Sequence, residues 1–264
     1  MQKEKLTIID LTSLFYSVSY SCQSNNLSLE EGFFLLKDRF TSILEETNAN
    51  YYLSFTDKGF SFRREILSKF KNDRPANNLP YLKELKEFSL SNLQTINHSK
   101  LESDDLVILH YLYLRDKYDV IIASPDSDLR QIDGLFYNYL YRRNNSDPFI
   151  IVTKEEADLN LWNSVLAGSH NGLKGLNNCG VGTSTSLLKD KLNKETIVLD
   201  AYINGINFKR KVKGLGLIKG INEFRDNFIS SYLLRNKEDC ESYGIDFTYS
   251  DMIKVERDNM NYLL

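Results

Sequence analysis

The chain of 264 residues has few of the residues that build disulfide-linked or zinc-stabilised scaffolds. Its three cysteines, Cys22, Cys179 and Cys240, are odd in number and far apart, and its three histidines are scattered as well. This spacing argues against a disulfide framework and a zinc site, and it indicates a reducing, cytoplasmic setting. The sequence contains no apolar run long enough for a membrane span, and residues 1–5 do not lead into the apolar segment of a secretory signal.

Basic residues are unevenly distributed along the chain. The formal net charge is −3, from 33 Lys and Arg against 36 Asp and Glu, which by itself argues against a polyanionic partner. Residues 161–220, however, hold nine basic and three acidic residues, a formal net charge of +6. The run at 209–213, Lys-Arg-Lys-Val-Lys, fits either a phosphate-binding surface or a solvated face with a chance charge bias.

Acidic residues crowd around one predicted strand. Five carboxylates lie within 27 positions, at Glu102, Asp104, Asp105, Asp126 and Asp128. Crowded carboxylates repel one another and lose hydration, so such a cluster normally needs a cation. Because Mg²⁺ and Mn²⁺ prefer oxygen ligands, the cluster predicts a site for one of these ions. For the three acids at 102–105, capping of a helix N-terminus is the alternative explanation.

Apolar runs and capping signals predict strands that alternate with helices. The predicted strands are 6–10, 51–56, 119–124, 135–141 and 149–152. The predicted helices are 12–22, 29–46, 62–71, 103–114 and one that follows Thr153. This alternation implies an α/β domain with a mainly parallel sheet. Residues 72–100 are polar and contain two prolines, which predicts an excursion from the core that carries one short helix.

Three of the predicted strands end in an acid. Asp10, Asp57 and Asp126 each lie at or just beyond the carboxyl end of a strand. Ligands of parallel α/β sheets bind outside that edge, so we expect these side chains to converge there with Glu102 and Asp104. Aspartate is a common turn residue, so one such position would carry little weight. Three such positions carry more weight, and adding Asp10 and Asp57 to the five acids above gives a predicted metal site of seven acids.

Glycine is concentrated late in the chain. Five of the thirteen glycines lie between 168 and 182, and the run at 180–184 reads Gly-Val-Gly-Thr-Ser. Such a turn at the start of a helix lets backbone N–H groups approach a phosphate. A plain glycine turn is the more common meaning of this pattern.

Taken in order, these motifs resemble those of the structure-specific 5′ nucleases. This family includes phage 5′→3′ exonucleases and phage RNase H, the 5′-nuclease domain of bacterial DNA polymerase I, and flap endonucleases. The segments that carry the resemblance are 8–10, 57–63, 70–74, 101–105, 124–129, 175–186 and 224–227. Among them, Leu-Glu-Ser-Asp-Asp is similar to the Glu-Ala-Asp-Asp motif of the family, and Ser-Pro-Asp-Ser-Asp-Leu to its Ser-x-Asp-x-Asp-Leu motif.

The resemblance implies a fold and an activity. Residues 1–160 would form a PIN-like nuclease core, a central mainly parallel sheet flanked by helices, with an arch at about 72–100 for a 5′ single strand. Residues 161–264 would form a mostly helical, helix–three-turn–helix DNA-binding region. The chain would hydrolyse phosphodiesters at the 5′ ends of duplex, flap or RNA-primer substrates in DNA replication or repair.

The same resemblance implies cofactors and partners. One or two Mg²⁺ or Mn²⁺ ions would bind at the acids, and K⁺ would bind at the hairpin that contains Gly180 and Gly182. The partners would be DNA as a 5′ flap, nicked or gapped duplex, an RNA–DNA hybrid, and replication proteins, but no membrane. The protein would be a monomer in the cytoplasm of a bacterium or of a phage-infected host.

The resemblance also implies roles for individual residues. The metal ligands would be Asp10, Asp57, Glu102, Asp104, Asp105, Asp126 and Asp128. Asp126 would also count as catalytic, together with Lys71 and Arg74 at the scissile phosphate. The DNA-binding residues would be Arg63, Phe70, Lys174, Gly180, Gly182, Thr183, Ser184, Lys209, Arg210 and Lys211. Phe70 fits a base-stacking role and a core position equally well.

The chain departs from the family pattern at one place. The family usually has two further acids ahead of the hairpin, at positions that correspond to Gly168 and Asn171. A second metal ion would therefore need other ligands, such as Asn171, His170, Asp126 or Asp128, and we expect Gly168→Asp with Asn171→Asp to tighten its binding. This departure keeps open a DNA-binding scaffold with a weakened nuclease site. A ribonuclease that uses a similar acid cluster is a further alternative.

Overall fold

A computed structural model of the chain describes residues 3–71, 78–141, 147–168, 173–208 and 210–256. The helices are α1 (Thr12–Asn25), α2 (Leu29–Glu46), α3 (Phe62–Ile66), α4 (Leu82–Asn92), α5 (Ser103–Leu114), α6 (Lys154–Ala167), α7 (Val181–Leu188), α8 (Lys194–Asn204), α9 (Leu217–Ser231) and α10 (Lys237–Ser242). The strands are β1 (Lys5–Asp10), β2 (Tyr51–Phe55), β3 (Asp119–Ala123), β4 (Gly134–Tyr137), β5 (Phe149–Val152), β6 (Gly205–Phe208), β7 (Arg210–Lys213) and β8 (Ile253–Lys254). A short 3-10 helix, Asp128–Gln131, follows β3.

A six-stranded sheet with the order β5-β4-β3-β1-β2-β8 forms the centre of the fold. Strands β4, β3, β1 and β2 are parallel, and the edge strands β5 and β8 pair antiparallel with their neighbours. This arrangement confirms the predicted mainly parallel sheet with helices around it. Because the parallel strands end at the same edge, the residues that follow β1, β2 and β3 come together there.

Both faces of the sheet are covered by apolar side chains. Along β1, Leu6 and Ile8 pack with α5, whereas Ile9 packs with α1 and α2 on the opposite face, because successive strand residues alternate. Helix α5 is apolar nearly all round, and it is buried between the sheet and residues 233–247. No helix in the described part of the chain is long and apolar enough to cross a bilayer.

A third apolar cluster joins α6, α7, α8 and the β6–β7 hairpin. It contains Trp162, Val165, Val198 and Tyr202, and it is separate from the clusters on the sheet. The predicted boundary between residues 160 and 161 falls inside α6, and the chain from Leu233 onward packs back against the sheet side. The division into two domains stays a prediction.

Two elements differ from the expected ones. Helix α3 ends at Ile66 instead of continuing to Lys71, because Leu67 takes extended backbone angles of φ −116° and ψ 98°. Residues 210–213 of the basic run form strand β7 of the β6–β7 hairpin, a strand that the sequence pattern did not predict. Ile206 and Val212 are buried on one side of this hairpin, and that apolar pair accounts for its docking onto the third cluster.

The predicted arch is attached to the core wherever it is described. Residues 72–77 lie outside the described part of the chain. Helix α4 packs on α1 and α2 through buried Leu85 and through Phe88, whose ring centroid is 4.4 Å from that of Phe33. Ile96 exchanges backbone hydrogen bonds with Ser54 and Thr56. The one short helix expected within residues 72–100 is present as α4, and two apolar side chains three positions apart anchor it on the core. The arch itself stays a prediction.

His110 attaches the C-terminal part of the chain to α5. Its ring is buried, and its Nε2 accepts a hydrogen bond from the backbone N–H of Ser250 at 3.0 Å. Its Nδ1 therefore carries the proton and donates to the carbonyl of Leu106 at 2.7 Å. The rings of Phe247 and Tyr249 pack edge-on against the imidazole. Burial lowers the pKa of His110 from 6.5 to about 4, because a charged imidazole loses its hydration there.

This lowered pKa predicts a loss of stability in acid. The folded state favours the neutral ring, so the contribution of His110 is complete above the unfolded pKa of 6.5 and is lost as the pH falls through about 4. We expect the free energy of unfolding of the wild type to fall by about 3 kcal/mol, relative to His110→Gln, between about pH 7 and pH 3. Guanidinium unfolding curves at a series of pH values measure this difference. A difference that stays constant with pH would contradict the assignment.

Candidate active site

Four aspartates from separate elements converge at the carboxyl edge of the sheet. Asp10 ends β1, Asp57 follows β2, Asp126 follows β3, and Asp104 lies in the first turn of α5. Burial, together with the charges of Asp57 and Asp126, raises the pKa of Asp10 to about 6. Burial also raises the pKa of Asp104 well above its ordinary value, and the charges of the other three aspartates add to this effect. Their crowding creates a strongly negative site.

Hydroxyl and backbone donors hold Asp10 in place. It is 2% exposed, and its Oδ1 accepts hydrogen bonds from the Ser103 hydroxyl at 2.8 Å and from the Thr12 N–H at 3.0 Å. Its Oδ2 accepts from the Ser124 hydroxyl at 3.1 Å. The backbone N–H of Ser103 donates to Asp57 at 2.7 Å, so this serine orients two of the aspartates. The sequence did not single out these serines, although both lie inside the acidic motifs.

Glu102 and Asp105 face cations. The buried guanidinium of Arg63 forms a bidentate pair with Asp105, with Nη1–Oδ2 at 2.6 Å and Nη2–Oδ1 at 2.8 Å. Its Nη1 also lies 3.4 Å from Glu102 Oε2. The ammonium group of Lys71 contacts the other oxygen of Glu102, so this carboxylate lies between two positive charges. Of the seven predicted acids, four are the clustered aspartates and two are paired with cations. The seventh, Asp128, lies beside Asp126.

The structure contradicts two of the expected roles in this group. Arg63 was expected to contact DNA, but it has no exposed surface, and it donates to the carbonyls of Ile229 at 3.0 Å and Tyr232 at 2.6 Å in addition to Asp105. Asp105 was expected to bind metal, but its carboxylate is also buried and accepts a hydrogen bond from the N–H of Leu234 at 3.1 Å. Because every donor and acceptor of the pair faces protein, neither side chain reaches a ligand.

Two further DNA-binding expectations are wrong. Phe70 has no exposed surface, so it is a core aromatic and cannot stack on a base, and the Lys71 ammonium lies 5.1 Å from its ring centroid. Ser184 is buried, and its hydroxyl donates to Asn163 Oδ1 at 2.6 Å. The N–H groups of Ser184 and Thr183 both bond the carbonyl of Gly180, so neither is available to a phosphate.

The remaining predicted site residues lie in several parts of the structure. Gly180, Gly182, Lys174 and Lys211 are exposed on the side of the third apolar cluster. Asp128 opens the 3-10 helix, and its N–H donates to Asp126 Oδ1 at 2.8 Å. Arg74, Lys209, His170 and Asn171 lie outside the described residues, and Arg210 is described only by its backbone in β7.

The backbone around Gly168 leaves no room for an acidic side chain in this protein. Its φ is +87°, a conformation that side chains rarely adopt, and an added Cβ would lie 2.4 Å from the backbone N of Gly175. Gly168 also forms an isolated bridge with Lys174, so the two backbones approach each other closely. The expectation that Gly168→Asp supplies a metal ligand is therefore wrong.

The acid cluster fits a divalent cation by its chemistry. In the described part of the chain, no three His, Cys, Asp or Glu side chains are already close enough to hold a metal ion. The raised pKa values of Asp10 and Asp104 show repulsion and lost hydration that a cation would relieve. The donor set is made only of carboxylate oxygens, which suits Mg²⁺ or Mn²⁺ better than softer metals.

The same fold occurs in known nucleases. A variant of the bacteriophage T5 flap endonuclease, solved as a pseudo-enzyme-product complex with DNA and metal ions, superposes with a TM-score of 0.66 at 16% identity, over 88% of this chain and 89% of that one. A mutant of T5 5′-exonuclease gives 0.60 at 15% identity, over 91% and 96%. The catalytic core of Rad2 in complex with DNA substrate gives 0.55 at 16% identity, over 99% and 87%.

The chain has the fold of the structure-specific 5′ nucleases. This result confirms, at the level of the fold, the resemblance that the motifs carry. No protein-family model matches the sequence, and no curated protein sequence matches it. The 5′-nuclease fold is therefore recognised here from its architecture and from short motifs that lie at its strand ends.

The raised pKa of Asp10 predicts a stability change with pH. A carboxyl with a folded pKa of about 6 and an unfolded pKa of 3.8 favours folding when protonated, so stability is lost as the pH rises through this window. In EDTA we expect the wild type to lose about 3 kcal/mol of unfolding free energy between about pH 4 and pH 7, relative to Asp10→Asn. Chemical denaturation at each pH measures this, with exposed Asp116→Asn as the control. Equal pH profiles for the wild type and Asp10→Asn would contradict it.

The buried pair of Arg63 and Asp105 predicts a large effect of breaking it. Asp105→Asn leaves a buried guanidinium without its main counter-charge, so we expect a loss of about 3–5 kcal/mol of unfolding free energy. The partly exposed pair of Arg115 and Asp133 provides the control, because Asp133→Asn should lose about 1 kcal/mol or less. Urea denaturation compares the variants. If Asp105→Asn were as mild as Asp133→Asn, the pair would not have the structural role assigned to it.

Proposed function

We propose that this protein is a divalent-metal-dependent, structure-specific 5′ nuclease that hydrolyses phosphodiesters at the 5′ ends of DNA. The observation that carries the proposal is the convergence of four aspartates at the strand ends of a 5′-nuclease fold. Ordinary folding does not need four such carboxylates in one place, because their repulsion is unfavourable without a cation. A phosphodiester hydrolase that uses a metal ion does need them.

The aspartates are assigned to the ion. Asp10, Asp57, Asp104 and Asp126 would hold Mg²⁺ or Mn²⁺, with Glu102 and Asp128 as neighbours. When bound, a divalent cation would supply the positive charge that activates water and stabilises negative charge on the phosphate. The hydroxyls of Ser103 and Ser124 keep Asp10 oriented whether or not an ion is present.

Lys71 is assigned to the substrate phosphate. Its ammonium group lies beside Glu102 at the edge of the aspartate cluster, and its charge lowers the pKa of Asp104. A lysine ammonium is a compact point charge that can leave a carboxylate for a phosphate oxygen with little rearrangement. Arg74 is proposed to complete this contact, as the motif resemblance implies.

The surface around the third apolar cluster is assigned to duplex binding. Lys174 and Lys211 are exposed there, and the start of α7 presents Gly180 and Gly182 without side chains. Bare backbone at a helix start admits a phosphate or, in the hairpin, a K⁺ ion. The T5 flap endonuclease and Rad2 structures that share the fold contain DNA, which supports a DNA partner here. RNA–DNA hybrid, replication proteins and a monomeric state remain predictions from the resemblance.

One observation favours a second candidate, a DNA-binding scaffold with a weakened nuclease site. Gly168 has no room for the acid that the family usually carries at this position. A chain that has lost ligands for a second ion would bind DNA and cleave it slowly. The four clustered aspartates favour the nuclease, since a decayed site would no longer need them.

Cleavage assays with Asp126→Asn test the proposal. We expect this variant to lose at least about 100-fold in cleavage of a 5′-labelled flap in Mg²⁺, because it removes one anionic ligand, and to keep duplex binding within about twofold. Exposed Asp116→Asn, on the opposite edge of the sheet, is the matched control and should cleave normally. The same assay on flap, nicked duplex and RNA–DNA hybrid, with Mg²⁺ or EDTA, defines the substrate.

Each result decides between the candidates. Cleavage by Asp126→Asn at the wild-type rate would overturn the metal assignment. A wild type that binds every DNA substrate and cleaves none in Mg²⁺ would establish the scaffold instead. Cleavage confined to RNA would favour the ribonuclease.

A further inference from the structure

A cavity of about 550 Å³ lies apart from the aspartate cluster, between α8, α9 and the chain around residue 175. Three lysines line it, Lys69, Lys174 and Lys219, and they come from three separate parts of the sequence. Glu223 is its single acid, so the lining carries an excess of positive charge. A volume of this size is in the range of cavities that take a small ligand or one unit of a polymer.

Within the described part of the chain, the three lysines are not paired with a carboxylate. None of them forms an ion pair with another described residue, whereas Lys71 and Lys194 each contact a carboxylate. The three lysines are exposed, and their ammonium groups repel each other across the cavity. An anion placed between them would relieve this repulsion.

The rim of the cavity is held in position before any ligand arrives. The N–H of Leu176 donates to the Leu166 carbonyl at 2.9 Å, and Lys174 is bridged to Gly168. The buried amide of Asn227 donates to the carbonyl of Glu223 at 3.0 Å and to that of Lys174 at 3.4 Å, which connects α9 to the segment opposite. A preordered site loses little conformational entropy on binding.

The cavity is linked to the aspartate cluster through one short segment. Lys71 contacts Glu102 at the cluster, Phe70 is buried, and Lys69 lines the cavity. Consecutive Cα atoms are about 3.8 Å apart, so two residues span at most about 8 Å. Nucleotides follow one another every ~3.4 Å along the axis of a DNA strand, so a bound strand could contact both places at once.

We propose that this cavity is a phosphate subsite, in which Lys69, Lys174 and Lys219 bind a backbone phosphate of the substrate strand a few nucleotides from the cleaved bond. The proposal rests on the proposed function, since it concerns the same nucleic acid. It adds Lys69 and Lys219 to the residues that contact substrate. A free nucleotide or inorganic phosphate has the same chemistry, and the experiment separates these sources.

The test uses the full chain in EDTA, where no cleavage occurs. Binding of a fluorescent flap DNA is measured by anisotropy across a salt series for the wild type, for the triple variant Lys69→Ala, Lys174→Ala and Lys219→Ala, and for Lys154→Ala. Lys154 is an exposed lysine at the start of α6, at the edge of the sheet opposite the aspartates. We expect the triple variant to bind about tenfold more weakly and to lose about one unit of slope in log K against log salt, while Lys154→Ala matches the wild type.

Single neutral methylphosphonates in the strand locate the contact. The wild type should lose affinity at one or two positions near the cleavage point, and the triple variant should no longer respond at those positions. A triple variant with wild-type affinity and the same position profile would overturn the subsite. Tight binding of inorganic phosphate or of a 5′-mononucleotide, lost in the triple variant while DNA binding is unchanged, would also overturn it.

A parallel cleavage assay in Mg²⁺ separates the two proposals. If the wild type cleaves DNA and the triple variant binds DNA as tightly as the wild type, only the subsite is rejected. If the wild type does not cleave DNA and the triple variant binds DNA more weakly than the wild type, the nuclease is rejected and the subsite is retained. Circular dichroism of the triple variant establishes that it is folded, and Lys219→Ala alone, on the surface of α9, should show the same effect in part.

Discussion

The buried ion pair between Arg63 and Asp105 is the interaction on which the rest of this structure depends. Arg63 lies just after β2, Asp105 is in the first turn of α5, and the remaining guanidinium donors reach the carbonyls of Ile229 and Tyr232 at the end of α9. Three distant segments therefore meet at one charge that no water reaches. A buried guanidinium without its carboxylate is strongly unfavourable, so the pair fixes how the helical C-terminal part docks onto the sheet.

This pair also determines which acids remain for chemistry. Asp105 is paired with Arg63, and Glu102 lies between Arg63 and Lys71. Among the residues that the structure describes, Asp10, Asp57, Asp104 and Asp126 form no ion pair. The raised pKa values of Asp10 and Asp104 mean that the protein without a metal ion is less stable near neutral pH than it could be. A group of residues that destabilises the folded protein but favours cation binding is typical of a site kept for function at a cost in stability.

Positive charge is arranged in a complementary way around this site. Lys71 lies at the aspartate cluster, and Lys69, two residues earlier, faces the cavity that also contains Lys174 and Lys219. A polyanion bound across both places would contact the ammonium groups of Lys71 and of the cavity. This distribution explains how a chain with a net charge of −3 can still suit a nucleic-acid substrate.

Local pattern alone determined the strands, most helices and the acids at the strand ends, because apolar periodicity and the direction of a parallel sheet are local properties. Only the tertiary structure decided what each charged residue does. Arg63 and Phe70 lie in a motif that resembles a DNA contact, yet both are buried. The partners of Arg63 come from α5 and the end of α9, far away in sequence. The lysine cavity and the backbone crowding at Gly168 likewise depend on segments that meet only in the folded chain, and periodicity carries no information about such distant contacts.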